Sequence, residues 1–410
     1  MRILIFSQFF PPEMEPSGFM MDSFAQFLAK NKQNVGVICG YPNFPQGKFV
    51  DKKWYEFFRS KKLNGVDIHN VYVIPSNNTS NLKRILNYTS YMISSFIKGM
   101  IVTKPDVIVA TSPPIFAALS ALIVAKLRRV RFVLDVRDIW PESAIQMGSI
   151  NSRLVIKILE YVEQSLYKNA DQIVVATPGM IDLISEKGVS RSKLHYIPCG
   201  VTVSDKLMPP LKIDNPYMKH DQSKFTVLYA GLHGFAQGLE TIIDVAASLI
   251  DEDRIVFYFV GDGPEKNKLR GVIKDKGVEN IRLVDPVPKK DIEKYFVHAG
   301  CALVPLKNIN IFKNVFPSKT FELMALGVPT IVGVNGEISK LIKSTKSGIC
   351  VKAEDIDAYR TAIMSLFVDT SLRDEISLNA RTLVKKSFNH KDLNQKYFEI
   401  IQKNHDYIKQ

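Results

Sequence analysis

Short apolar runs alternate with amphipathic stretches along nearly the whole chain, and few architectures accept that pattern. In the first half the apolar runs lie near residues 2–6, 35–39, 67–73, 106–111, 131–136, 172–177 and 194–197. Helical patterns fit between them near 18–30, 83–103, 115–128, 152–168 and 178–187. The second half repeats the scheme, with strands near 225–231, 255–260, 281–284, 301–305 and 329–334 and helices near 238–250, 265–276, 289–298, 318–326 and 355–367. Alternation of this kind predicts an α/β fold whose parallel sheets are wound with crossover helices. Between the halves, residues 201–224 (VTVSDKLMPPLKIDNPYMKHDQSK) are polar and rich in Pro and Lys, and read as a linker. The expectation is two doubly wound domains, 1–200 and 225–386. Ligands are expected at the C-terminal ends of the strands and in the cleft between the domains.

The chain of 410 residues, 46% hydrophobic and 23% charged, has enough apolar material for two real cores. Cys39, Cys199, Cys301 and Cys350 are far apart and form no metal-ligand spacing, which suits a reducing cytosol and predicts no metal. The apolar start RILIF is too short for a signal peptide, and no run is long enough to span a bilayer.

The net charge is +13, and residues 1–135 hold 17 Lys and Arg against 8 Asp and Glu, so 17 − 8 = +9 falls in the first third. Such a surface suits nucleic acid or anionic lipid. No nucleic-acid reading module is recognisable, so lipid is the expected partner and nucleic acid is not. A generally basic surface explains the same count. In the stretch 82–104, Leu82, Ile85, Leu86, Ile93, Phe96, Ile97, Met100 and Ile101 recur at helical spacing, interrupted by Asn87, Ser90, Ser94, Ser95 and Lys98. It reads either as a helix lying at a membrane interface or as an ordinary core helix.

Five stretches carry candidate chemistry. In VFPSKTFELMALGVPTIVG (315–333), Pro317 and Ser318 open a helix, and Lys319 and Glu322 share a face of its first turn. A cation at a helix start opposes the dipole unless an anion sits beside it; the plain alternative is a solvated helix end. Gly261-Asp262-Gly263-Pro264 follows a strand and permits a close backbone approach, although GDGP is often only a turn. Lys266 stands where a dinucleotide fingerprint needs its third glycine, which disfavours a nicotinamide oxidoreductase. In AGLHGFAQGLE (230–240), a glycine loop runs into a helix start and can cradle a diphosphate, with His233 as a donor or as a bystander. LDVRDIWPES (134–143) crowds Arg137 and Asp138 at a strand end, either as a site or as a buried ion pair. In the loop 11–18, Gly18 would let the backbone come close to a ligand.

Taken in order, RILIFSQFFPPE, GYPNFPQGK, DVIVATSPP, DVRDIWPES, QIVVATPGM, IPCGV, YAGLHGFAQGLETII, VGDGPEKNKL and FPSKTFELMALGVPTIV resemble family 4 glycosyltransferases, retaining enzymes of the GT-B fold. The nearest resemblance is to the group making capsule, O-antigen and colanic-acid sugars, and within it to N-acetyl-L-fucosamine transferases. The resemblance implies an acceptor domain at 1–200, a nucleotide-sugar domain at 225–386 and a C-terminal helix near 387–410 packed back on the first domain. It implies that Glu322 holds the ribose, that Lys319 and Ser318 face diphosphate or sugar, and that the 231–238 loop, with Gly231, Gly234 and Gln237, embraces the phosphates. Gly261, Gly263, Val287 and Pro288 would wall the base, and Asp138 would lie near the reacting sugar. The donor implied is a UDP-sugar with no further cofactor. The acceptor implied is a polyprenyl-diphosphate-linked saccharide, reached by a cytoplasmic protein peripheral on the inner membrane face.

Four positions depart from the family pattern. Asn314 replaces the first glutamate of its E-x7-E motif, Leu232 and Gln237 replace the Arg and Lys of the glycine loop, and Arg137 replaces a histidine. Phosphate charge is then expected to be met by Lys319, His233 and Arg137. A UDP-N-acetylglucosamine 2-epimerase of the same fold is the alternative reading.

Overall fold

The computed structural model describes residues 1–13, 15–44, 46–51, 56–76, 81–203 and 223–403. Most of the stretch read as a linker lies outside them. The chain divides into two compact units, Met1–Gly200 joined by the segment from His390, and Val201–Asn389.

The first unit runs β1 (Arg2–Phe6), α1 (Pro16–Lys30), β2 (Asn34–Gly40), β3 (Phe58–Leu63), β4 (Val66–Val71), α2 (Asn81–Ile101), β5 (Val107–Ser112) and α3 (Ile115–Arg128). It continues through β6 (Arg131–Val136), α4 (Glu142–Gln146), α5 (Arg153–Asn169), β7 (Gln172–Val175), α6 (Pro178–Glu186) and β8 (Leu194–Tyr196). Its eight strands take the order β3-β4-β2-β1-β5-β6-β7-β8. All neighbours are parallel except β3, which pairs antiparallel with β4 at the edge. The central strands β5 and β6 are buried along their whole length, as a sheet covered on both faces requires.

The C-terminal helix His390–Gln402 belongs to this unit. The Tyr397 ring stacks on Phe24 at 4.3 Å, its hydroxyl donates to Asp135 Oδ2 at 2.9 Å, and Arg131 Nη1 donates to the Ile401 carbonyl at 2.8 Å.

Helix α2 turns its polar residues inward. Asn87 Nδ2 donates to the Ile74 carbonyl (2.7 Å), Asn87 Oδ1 accepts from Gln8 Nε2 (2.6 Å), and the Ser94 hydroxyl donates to the Tyr72 carbonyl (2.6 Å). Buried polar groups need such partners, and here they fasten the loops that follow β1 and β4. Glu13 does the same between loops: its Oε1 accepts from the backbone N–H of Asn43 and of Phe44, both at 2.9 Å.

The second unit runs β9 (Phe225–Ala230), α7 (Leu239–Ala247), β10 (Ile255–Val260), α8 (Lys266–Asp275), β11 (Ile281–Val284), α9 (Lys289–His298) and β12 (Cys301–Pro305). Then come α10 (Ser318–Leu326), β13 (Thr330–Gly333), α11 (Glu337–Thr345), β14 (Ile349–Cys350), α12 (Ile356–Val368) and α13 (Thr370–Ser387). Six parallel strands take the order β11-β10-β9-β12-β13-β14. Two apolar clusters cover the two faces of this sheet, one built on Phe257 and Phe259, the other on Tyr258 and Val260. Neighbouring residues of β10 feed opposite cores because successive side chains alternate across a strand.

Candidate nucleotide-sugar site

The loops leaving β9, β10 and β11, and the helix reached from β12, all emerge at the C-terminal edge of a parallel sheet. The first two loops interlock. The Gly231 N–H donates to the Val260 carbonyl (3.0 Å), His233 N–H to the Asp262 carbonyl (2.8 Å), and Glu265 N–H to the His233 carbonyl (3.0 Å). The glycines permit this closeness: a Cβ on Gly261 would sit 1.9 Å from the Gly231 carbonyl oxygen, and one on Gly263 would sit 2.3 Å from that of His233.

Lys266 completes the join. Its ammonium, almost wholly buried, donates to the Gly261 carbonyl (2.8 Å) and to Asp285 Oδ1 (2.7 Å), so the loops after β10 and β11 share one cation. In the sequence Lys266 counted only as a missing glycine. The signal that could have revealed its role is the aspartate directly after the strand IRLV.

Gly234 and Gln237 lie in the same loop, which ends at Gly238 in a left-handed conformation (φ 58°) as the N-cap of α7. Lys307 lies against this loop: its N–H donates to the Ala236 carbonyl (2.9 Å), and its ammonium stands 3.7 Å from the centre of the Phe235 ring. Val287 packs against one core cluster, and Pro288 caps α9.

His233 is fully buried, and neither ring nitrogen has a hydrogen-bond partner. Burial, with Lys266 adding to it, pushes its pKa down to about 4, so the imidazole is neutral at physiological pH. A neutral, fully buried ring does not bring the positive charge expected of it.

Helix α10 begins at Ser318 behind Pro317, with no side chain capping it. The N–H groups of its first turn are therefore free of a side-chain acceptor and suit an anion. On that turn Lys319 Nζ donates to Glu322 Oε2 at 2.8 Å, and both side chains are partly exposed.

Gly18, Arg137 and Asp138 belong to the first unit. A Cβ on Gly18 would come within 2.8 Å of the Phe9 carbonyl oxygen, so packing inside the unit already demands glycine there. Arg137 does not pair with Asp138. Its guanidinium binds the buried Asp135 carboxylate and donates to the Ile197 carbonyl at 2.9 Å, while Asp135 also accepts from Tyr397. Arg137 thus serves an ion-pair network inside the unit, because Asp135 points into the core below it. Asp138 Oδ2 accepts from the Ser143 hydroxyl at 2.7 Å, and burial raises its pKa. Glu13 was not anticipated as an ionisable group of interest; burial pushes it up to about 7 against its backbone donors. Among the described residues no cluster of His, Cys, Asp or Glu is placed to hold a metal ion.

Two doubly wound α/β units, the second with interlocked glycine loops at its strand ends, are the architecture of the GT-B fold. Residues 64–200 match the Glycosyl transferase 4-like domain, and residues 215–383 match Glycosyl transferases group 1. The chain belongs to the glycosyltransferases that join these two domains. It is similar to WcaI of Escherichia coli K12, whose name assigns it provisionally to colanic acid biosynthesis as a glycosyl transferase. The two are 27% identical over 88% of this chain and 91% of that one. Sucrose-phosphate synthase of Thermosynechococcus elongatus shares the fold with a TM-score of 0.78 at 16% identity, over 99% of this chain and 100% of that one. HepE of Anabaena, solved with UDP and glucose, superposes with a TM-score of 0.72 at 15% identity, over 98% of this chain and 100% of that one.

Proposed function

We propose that this glycosyltransferase works in bacterial polysaccharide biosynthesis, moving a sugar with retention from a UDP-linked donor to a polyprenyl-diphosphate-linked saccharide. N-acetyl-L-fucosamine is the sugar the sequence resembles most, and capsule or O-antigen the product. The observation that carries the reading is that one C-terminal sheet edge bears both interlocked glycine loops and, after β12, an uncapped helix start with Lys319 and Glu322.

The donor docks on the second unit. Its diphosphate lies over the 231–238 loop and the start of α10, where Ser318, N–H groups and Lys319 face the phosphate oxygens. Glu322 exchanges its bond with Lys319 for the ribose hydroxyls, which a carboxylate accepts well. Gly261, Gly263, Val287 and Pro288 wall the base, and the backbone of His233 holds the loop in place.

In the transfer the donor C1–oxygen bond breaks and its electron pair leaves with the diphosphate. The acceptor oxygen bonds to C1 from the same face, and the acceptor proton passes to a diphosphate oxygen. Charge growing on the leaving group is met by Lys319 and the helix start. On the first unit, Asp138 at the end of β6 is assigned to acceptor recognition. Placing the acceptor on a lipid carrier makes the protein peripheral on the cytoplasmic membrane face.

A thermal-shift screen against UDP, GDP and UDP-sugars, followed by transfer to a polyprenyl-diphosphate sugar in detergent with and without EDTA, tests this. Stabilisation by UDP and product formation unchanged by EDTA are expected. Conversion of UDP-N-acetylglucosamine alone to its 2-epimer would instead establish the epimerase alternative.

A further inference from the structure

A helix packed on a sheet normally hides its apolar stripe and shows its polar one. Helix α2 departs from this, with Tyr91 the one large apolar residue it buries fully. Asn87, Ser94, Ser95 and Gly99 face the interior, whereas Leu82, Ile85, Leu86, Ile93, Ile97 and Ile101 are exposed, Ile93 by 57% and Ile101 by 66%. Positions 82, 86, 93, 97 and 100 recur at three-, four- and seven-residue steps, so they form one continuous stripe.

The neighbouring helices extend it. The crossovers β4–β5, β5–β6 and β6–β7 all run in one direction across the sheet, so α2, α3 and α5 lie on one face. On α3, Leu127 is 60% exposed; on α5, Leu154 and Tyr161 are 70% and 76% exposed. Continuous apolar surface of this kind marks an interaction site.

Charge identifies the occupant. Residues 81–101 and 115–128 contain no Asp or Glu, and Lys83, Lys104, Lys126 and Arg129 are exposed at the ends of α2 and α3; α5 exposes Arg153, Lys157 and Lys168 against one acid, Glu160. A second copy of the chain would set like charge against like across a two-fold contact. No helix among the described residues is long and apolar enough to cross a membrane. An apolar stripe edged by cations on non-spanning helices matches the interfacial layer of an anionic bilayer.

We propose that the outer face of α2, α3 and α5 docks on anionic lipid, with the apolar stripe inserted at the headgroup boundary. This rests on the lipid-linked acceptor proposed above and names the surface that reaches it. The inward polar face of α2 holds Gln8, Tyr72 and Ile74, so docking and the strand-end loops share one helix.

The test is co-sedimentation of the full chain with phosphatidylglycerol–phosphatidylcholine vesicles at low salt, beside pure phosphatidylcholine. The wild-type protein should pellet only with the anionic vesicles. The variant Ile85→Ser/Ile93→Ser/Ile97→Ser should partition more weakly by over about tenfold, with unchanged UDP affinity and circular dichroism. If that variant fails to fold, Lys126→Glu/Arg129→Glu decides in its place, with a drop of similar size. A folded variant that binds like wild type overturns this face while leaving the lipid-linked acceptor standing. Absence of wild-type binding overturns the docking; transfer to the polyprenyl acceptor in detergent then shows separately whether that reading survives. A wild-type dimer that the serine variant dissolves would assign the face to a second copy and overturn the proposal.

Discussion

The ammonium of Lys319 and the carboxylate of Glu322 are bonded to each other, 2.8 Å apart, on the first turn of α10. Each holds the other in place at a helix start that carries no cap. The pair is half in water and contributes little to stability, so its conformation is free to serve a ligand.

Glu322→Ala should therefore weaken UDP binding by about tenfold, the loss of a charged hydrogen-bond acceptor, and move the melting temperature by less than about 2 °C. Titration calorimetry with UDP checks the first part and a melting curve the second. Unchanged UDP affinity would remove Glu322 from the nucleotide site.

Lys319→Ala should act on turnover. If Lys319 meets charge that grows as the diphosphate departs, kcat falls by roughly 10²-fold while KM for the donor changes far less. Steady-state kinetics at saturating acceptor separate the two constants. Equal losses in binding and turnover would mean that Lys319 serves the ground state only.

Gly261→Ala places a Cβ 1.9 Å from the Gly231 carbonyl, at a backbone φ of 147° that other residues rarely adopt. The interlocked loops must part, which costs more than about 2 kcal/mol. In a urea melt, the transition that UDP protects in the wild type should move to lower denaturant and lose its protection.

Glu13 makes stability depend on pH. Burial pushes its pKa up from 4.5 to about 7, so between those values the folded chain keeps a proton that the unfolded chain has released. Stability therefore declines as pH rises through that window, by about 3 kcal/mol at most. Glu13→Gln keeps the acceptor oxygen for Asn43 and Phe44 and removes the titration. Urea midpoints of this variant should be flatter between pH 4.5 and 7 than those of the wild type.

The strands of both sheets were legible because each is a short apolar run between turn residues; β10, β11 and β12 begin and end where the pattern places them. Strand β3 was not. Its residues FRSKKL are almost all exposed, and an edge strand with one neighbour needs no apolar alternation. Helices α4 and α11 escaped because five and nine residues hold too few turns for a period to show, and α13 because charged residues thin its apolar stripe. Helix α2 was read at the right place with its sides undetermined. Periodicity reports that two faces differ, and hydrogen bonds from distant loops decided which one turned inward. The glycine loops and the α10 turn were visible as spacing, whereas Lys266 and Asp285 are joined across nineteen positions, which no local pattern reports. For Arg137 the side chain chose the carboxylate two residues before it over the one beside it, because alternation along β6 sends Asp135 into the core.

The stacking of Tyr397 on Phe24 and its bond to Asp135 place the final helix among the earliest-made elements of the chain. During synthesis the N-terminal unit thus waits, with α1 alone on the side of its sheet that the last helix will share, while all of Val201–Asn389 is translated. The inserted unit can mature first, before the segment that seals its older neighbour has been made.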